Sequence, residues 1–219
     1  DYVRQFAQYV KTNLDPDLQI YIEFSNEVWN PQFAQARYAL EQGNGDRAQA
    51  FRWFGQRTAE ITETWDEVFG DDNTRIIGVM GAQAANSWTA EQALTPIRES
   101  QRTYQEAGID AIAIAPYFGS YIGRPAHAAE LEQWIEDSDG GLNNLFQEIA
   151  TGSILSTAPE EGALGQSFAW IDNYVDLTQR ENLILLAYEG GQHLAGHQGI
   201  ENNDAITNLF ITANRDPRM

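Results

Sequence analysis

The sequence predicts an α/β fold of consecutive strand-plus-helix units, curling toward a (β/α)8 TIM barrel of which this chain supplies a part. Two observations predict it. Four short apolar runs, at 19–24, 74–80, 109–115 and 183–188, read as strands, and each is followed by a segment of helical spacing. Each run also ends against residues suited to chemistry: Asn26, Glu27 and Trp29 after the first, Gln83 and Asn86 after the second, Tyr117 after the third and Glu189 after the fourth. Such alternation implies a parallel sheet with right-handed crossovers. In these sheets, sites are built at the carboxyl ends of the strands.

Taken in order, residues 1–14 read as a helix, with Tyr2, Val3, Phe6 and Val10 at helical spacing, ended by Asp15-Pro16-Asp17. The first strand, 19–24, reads as buried through Ile20, Tyr21, Ile22 and Phe24. Pro31 suits the first turn of a helix over 32–41, and Gly43-Asn44-Gly45 is a turn. A long helix over 46–69 carries Ala50, Trp53, Phe54, Ile61, Trp65 and Val68 on one side. After the second strand, Ser87 or Thr89 caps a helix running to about 106, and Thr89 with Gln92 fits a capping box. Gly108 is a helix stop before the third strand. Short helices are expected over 126–135 and 142–150, loops over 138–141 and 160–165, and a helix over 167–179 before the fourth strand. A loop over 190–199 and a last helix over 203–213 complete the chain.

With 219 residues and 42% hydrophobic content, the chain can bury a large core. It is expected to be one domain over 1–219, the C-terminal portion of a catalytic barrel and incomplete at both ends. Four units are half of eight, and the opening helix lacks the strand that should precede it. No apolar run reaches the ~18 residues of a membrane span. A net charge of −19 argues against nucleic acid and anionic membranes as partners. Cysteine is absent, so nothing indicates the redox compartment. The basic side chains are twelve Arg and one Lys, Lys11. A surface so acidic and so poor in Lys fits either salt adaptation or an acidic extracellular or periplasmic protein.

The stretch QIYIEFSNEVWN over 19–30 and the stretch NLILLAYEGGQHL over 182–194 carry a resemblance. Asn26-Glu27 ends one strand, Tyr117 ends the second strand after it, and Glu189 ends the third after it. This order resembles the retaining glycoside hydrolases of clan A, whose (β/α)8 barrels carry Asn-Glu at the fourth strand and a second Glu at the seventh. The match implies that the four strands here are about the fourth to seventh. It departs from the commonest pattern in that Val28, not Pro, follows Glu27. The resemblance implies Glu27 as general acid/base and Glu189 as nucleophile in the cleavage of β-linked poly- or oligosaccharide with retention. It further implies Asn26 on the substrate's 2-hydroxyl and Tyr117 on the nucleophile's carboxylate, with no cofactor.

The residues themselves agree with that chemistry. Retention needs two carboxyl groups about 5–5.5 Å apart, one protonated and one ionised. A strand-end Glu can equally be a rim carboxylate paired with Arg, Asn26 a loop cap, and Tyr117 a half-buried strand-end aromatic. Trp29 and Trp88 are candidate stacking platforms for sugar rings, with burial as core aromatics the alternative. Trp53, Trp65, Trp134 and Trp170 sit in helical patterns and read as core. His193 and His197 stand four apart, a zinc spacing on a helix, but four glycines around them make the stretch a loop. The expectation is a loop His193 near Glu189 that contacts substrate, with no metal. The expected partners are a carbohydrate and the remaining segments of the barrel or another domain, in an extracellular or periplasmic setting. The alternative is a carbohydrate-binding barrel without activity, or an inactive barrel fragment.

Overall fold

The computed structural model describes residues 2–219 and is a mixed α/β protein. Asp1, the first residue of the expected opening helix, lies outside the described residues. The described residues form two compact units: residues 2–115 with 173–188, and residues 116–172 with 189–219.

The first unit holds a four-stranded parallel sheet in the order β1 (Ile20–Glu23), β2 (Ile76–Gly81), β3 (Ala111–Ile114), β5 (Ile184–Ala187). Its helices are α1 (Tyr2–Asn13), α2 (Ala34–Gln42), α3 (Arg47–Phe69), α4 (Trp88–Glu99) and the C-terminal part of α7 (Gly162–Glu181). Ile20, Ile22 and Ile76 pack with Ala7 of α1 and with Ile61, Trp65 and Phe69 of α3. Ile112 and Ile114 of β3 are buried to 1% exposure or less. Each such side chain contributes about 1.5–3 kcal/mol of burial. Lys11 ties α1 to the end of α3 by donating to the carbonyls of Val68 and Phe69, both at 2.9 Å. At the sheet's other margin, Tyr104 Oη donates to Glu181 (2.7 Å) and accepts from Arg98 Nε (2.8 Å).

Several expectations are corrected here. The first and fourth strands are not buried throughout: Tyr21 is 56% exposed and Ile184 51%. In β1, Ile20 and Ile22 face the helices while Tyr21 and Glu23 point to the other face, and the alternation shows it. The helix after β2 stops at Glu99 and not near 106. Gln101 takes a positive φ of 61° there, and only a short 3-10 turn, Gln105–Ala107, follows. Thr89 does not form a capping box. Its hydroxyl donates to the Asn86 carbonyl (2.9 Å) and accepts from Gln83 N–H (3.3 Å), binding the strand-to-helix turn instead.

The second unit holds α5 (Ala128–Ile135), α6 (Leu142–Thr151), the first part of α7, and α8 (Asp204–Ala213) around Leu131, Leu145, Ile206 and Phe210. Asn203 caps α8, its side chain accepting from Ala205 and Ile206 N–H. The expected loop over 160–165 is already helical from Gly162. The expected loop over 190–199 contains β6 (Gly191–Gln192), which pairs in parallel with β4 (Tyr117–Phe118). Two-residue strands leave no periodic trace in the sequence. Glu148 is fully buried, and its carboxyl oxygens accept from Tyr121 Oη at 2.6 Å and from Ile154 and Leu155 N–H at 3.1 Å each.

Asp66 of α3 sits beside Gly108. Burial first, then the nearby Asp110 and Glu63 charges, push its carboxyl up to about 6. The folded state therefore holds this proton more tightly than the unfolded chain. The favourable contribution is full below the ordinary carboxylate range and is lost as pH rises through about 6. Asp66→Asn should remove that pH dependence and raise stability at pH 7 by about 1–2 kcal/mol relative to the native chain. Urea unfolding of both proteins at pH 4 and pH 7 measures it. Equal differences at the two pH values would count against this account.

Candidate active site

Within the first unit, the loop leaving β1 carries Asn26, Glu27 and Trp29. Glu27 has a φ of 54°, the left-handed region, which costs a non-glycine residue of order 1–3 kcal/mol. The loop holds it there. Asn30 Nδ2 donates to Glu27 Oε2 at 2.9 Å, and Asn30 N–H donates to the Glu27 carbonyl at 2.9 Å. The Asn26 carbonyl accepts from Gln35 Nε2 at 3.2 Å, tying the loop to α2. Asn26 itself is exposed and Glu27 half-buried. Val28, the residue standing where Pro is commonest in the resembling group, is buried and anchors the turn.

Trp29 lines a cavity of about 120 Å³ together with Phe51. Trp88, 41% exposed, meets the same Phe51 edge-on, ring centroids 5.7 Å apart. The two candidate platforms thus share one buried neighbour. Trp65 and Trp134 are buried, as their helical spacing predicts, while Trp53 and Trp170 are half-buried. Trp53 packs edge-on against Phe24 and Tyr38.

Glu23 stands outside the strand-end motifs. It projects from β1 onto the face away from the helices, where a cavity of about 340 Å³ is lined by Tyr21, Glu23, Val79, Ala113, Leu186 and Tyr188. Its Oε1 rests against Gly81: a Cβ on that glycine would lie 2.4 Å from it. Glu23 keeps more than a third of its surface exposed, yet the apolar walls push its carboxyl above the usual range. The signal was available as a carboxylate at the alternate position of an apolar strand.

Within the second unit, Tyr117 on β4 is half-buried and its ring meets His193 at right angles, centroids 5.7 Å apart. His193 N–H donates to the Phe118 carbonyl at 2.7 Å, extending the β4–β6 pairing. His197 follows, its ring 5.8 Å from that of His193 and its N–H donating to the Gly123 carbonyl at 3.0 Å. Glu189, just before β6, is exposed. His193 and His197 thus share a loop, and His193 meets Tyr117 of β4. Among the described residues, no three His, Cys, Asp or Glu side chains form a cluster able to hold a metal ion.

No family model, curated protein or solved structure matches the chain.

The loop that carries both histidines is seated on Gly123. A Cβ there would lie 1.8 Å from the Ala195 carbonyl oxygen, so any side chain must push the loop away. Gly123→Ala should lower stability by about 1–3 kcal/mol, the usual cost of overpacking. It should also shift the His193 and His197 imidazole NMR signals, while those of His127 stay in place. Unmoved His193 and His197 signals would show that the loop is not held there.

Proposed function

We propose that this chain is the catalytic portion of a retaining glycoside hydrolase acting on β-linked poly- or oligosaccharide. The observation that carries the reading is Glu27, held by Asn30 at a costly positive φ just past the carboxyl end of β1. Strand β5 of the same parallel sheet runs into Glu189. On this reading the four strands are about the fourth to seventh of a (β/α)8 barrel. The sheet face bearing Tyr21, Glu23 and Leu186 is then the inside of that barrel, and remaining barrel segments or another domain complete it. Strands β1 and β5 are three spacings apart, roughly 14 Å along the sheet. Retention requires two carboxyl groups about 5–5.5 Å apart.

In the reaction, a Glu189 oxygen attacks the anomeric carbon as the glycosidic C–O bond breaks. Glu27 gives its proton to the departing oxygen. Water, losing a proton to Glu27, then attacks the same carbon and releases Glu189. Asn26 binds the 2-hydroxyl, Tyr117 orients the nucleophile, and Trp29, Trp88 and His193 contact sugar rings. No cofactor is needed for these steps, and an extracellular or periplasmic setting is where such polymers are met.

A 2-deoxy-2-fluoro β-glycoside with a good leaving group should form a stable glycosyl ester on the peptide containing Glu189, detected by mass spectrometry. Glu189→Gln should abolish the label and lower turnover by at least about a thousandfold. Label on another carboxylate, or hydrolysis that inverts the anomeric centre, would overturn the assignment.

A further inference from the structure

The chain carries 13 basic residues against 32 acidic ones, and most of its arginines are engaged by carboxylates. Among the described residues, Arg4, Arg52, Arg57, Arg98, Arg102 and Arg180 form ion pairs of this kind, and Arg218 does so with Asp216. Among those described, Arg37, Arg47, Arg75, Arg124 and Arg215 form none, and of these Arg37 and Arg47 both line the cavity beside Trp29. Both are exposed, and their meeting at one cavity in a chain of net charge −19 asks for a local explanation.

Local structure does not supply it. Arg47 opens α3, where a cation meets the unfavourable end of the helix dipole. Its neighbour Asp46 uses a carboxylate oxygen to accept Gln49 N–H at 2.9 Å, as the helix cap. Arg37 is oriented through one nitrogen only: Nη1 donates to the carbonyls of Pro31 (3.1 Å) and Gln32 (2.8 Å). That anchors the guanidinium and leaves its other N–H groups for a ligand. Glu27 is held by Asn30 and pairs with neither arginine.

We propose that this cavity is a subsite for an anionic sugar unit, one bearing a carboxylate or a sulfate ester. The proposal rests on the carbohydrate reading of Glu27, two residues from Trp29, and adds the substrate class to it. Guanidinium groups match planar oxyanions through paired N–H donors. Trp29 and Phe51 offer apolar surface to the C–H face of the ring. About 120 Å³ is roughly four waters' worth of space, enough for the charged end of one ring. The acidic surface at large repels an acidic polymer, but screening confines that repulsion to ~8 Å at physiological salt. The two local cations then decide the contact.

The test follows arginine Nε–Hε NMR signals of the whole chain during separate additions of methyl β-glucuronide, glucose 6-sulfate, methyl β-glucoside and sodium acetate. The expected result is a saturable shift of the Arg37 and Arg47 signals with the glucuronide or the sulfated sugar. Which of the two binds tighter names the anion. The neutral glucoside and acetate should leave both signals in place at the same concentration. Arg47→Gln, with its amide spectrum otherwise unchanged, should weaken binding about tenfold, as loss of a charge-assisted contact does. No arginine shift with either acidic sugar, or an equal shift with acetate, overturns the proposal. Neutral glucoside moving the 26–30 amides without the arginines overturns it too and leaves the hydrolase reading standing. Arginine shifts in a protein that cleaves no glycoside would uphold the subsite and sink the hydrolase.

Discussion

Backbone contact at two glycines governs the first unit. A Cβ on Gly55 of α3 would lie 1.8 Å from the Ala93 carbonyl oxygen of α4, and one on Gly78 of β2 would lie 1.7 Å from the Gly108 carbonyl oxygen. Both approaches exist only because there is no side chain. With β2 drawn in this far, Gly78 N–H reaches the Asp110 carboxylate at 2.8 Å, just before β3 begins. The parallel register of Val79 with Ala111, and of Ala111 with Ile184, follows from that junction. The ends of the four strands inherit their positions from it.

The carboxylates divide by how each is accommodated. Glu148 is buried and fully bonded by one hydroxyl and two backbone N–H groups, so its role is to hold the chain after α6. Glu181 closes the cluster of Arg98, Tyr104 and Arg180, which secures α4 against the end of α7. Glu27 and Glu189 have neither kind of support. Glu27 is kept in a strained conformation by an amide, and Glu189 is exposed at the end of a strand. Glu23 belongs between these classes, since its carboxyl rests on Gly81 in an apolar recess that pushes it above the usual range.

Much of the fold was legible because its periodicity is strong. Residues 47–69 present Phe54, Ile61 and Trp65 at helical intervals, and the helix found there matches the expected one to within a residue. Three of the four principal strands fall inside their apolar runs, and β2 runs one residue past its own, to Gly81. What escaped were features with no period. The β4–β6 pairing is two residues long, the α4 end turns on the positive φ of Gln101, and Thr89 bonds a turn in place of a helix end. Of the candidate site, residue identities were readable from the strand-ending motifs. The Asn30 clamp on Glu27 and the grouping of Tyr117 with His193 and His197 were not, since they depend on loop conformation.

By itself, the sequence determined the order of strands and helices, the parallel character of the sheet and the residues at the strand ends. These depend on local propensity and on the spacing of apolar side chains, which are properties of neighbours along the chain. Only the tertiary structure decided which face of β1 is covered, where Glu23 points, and which arginines stand without a carboxylate around Trp29. Those outcomes depend on groups far apart in sequence competing for the same space and the same partners. No local pattern encodes that competition, because its result is set by packing and by which charges the fold brings within reach of each other.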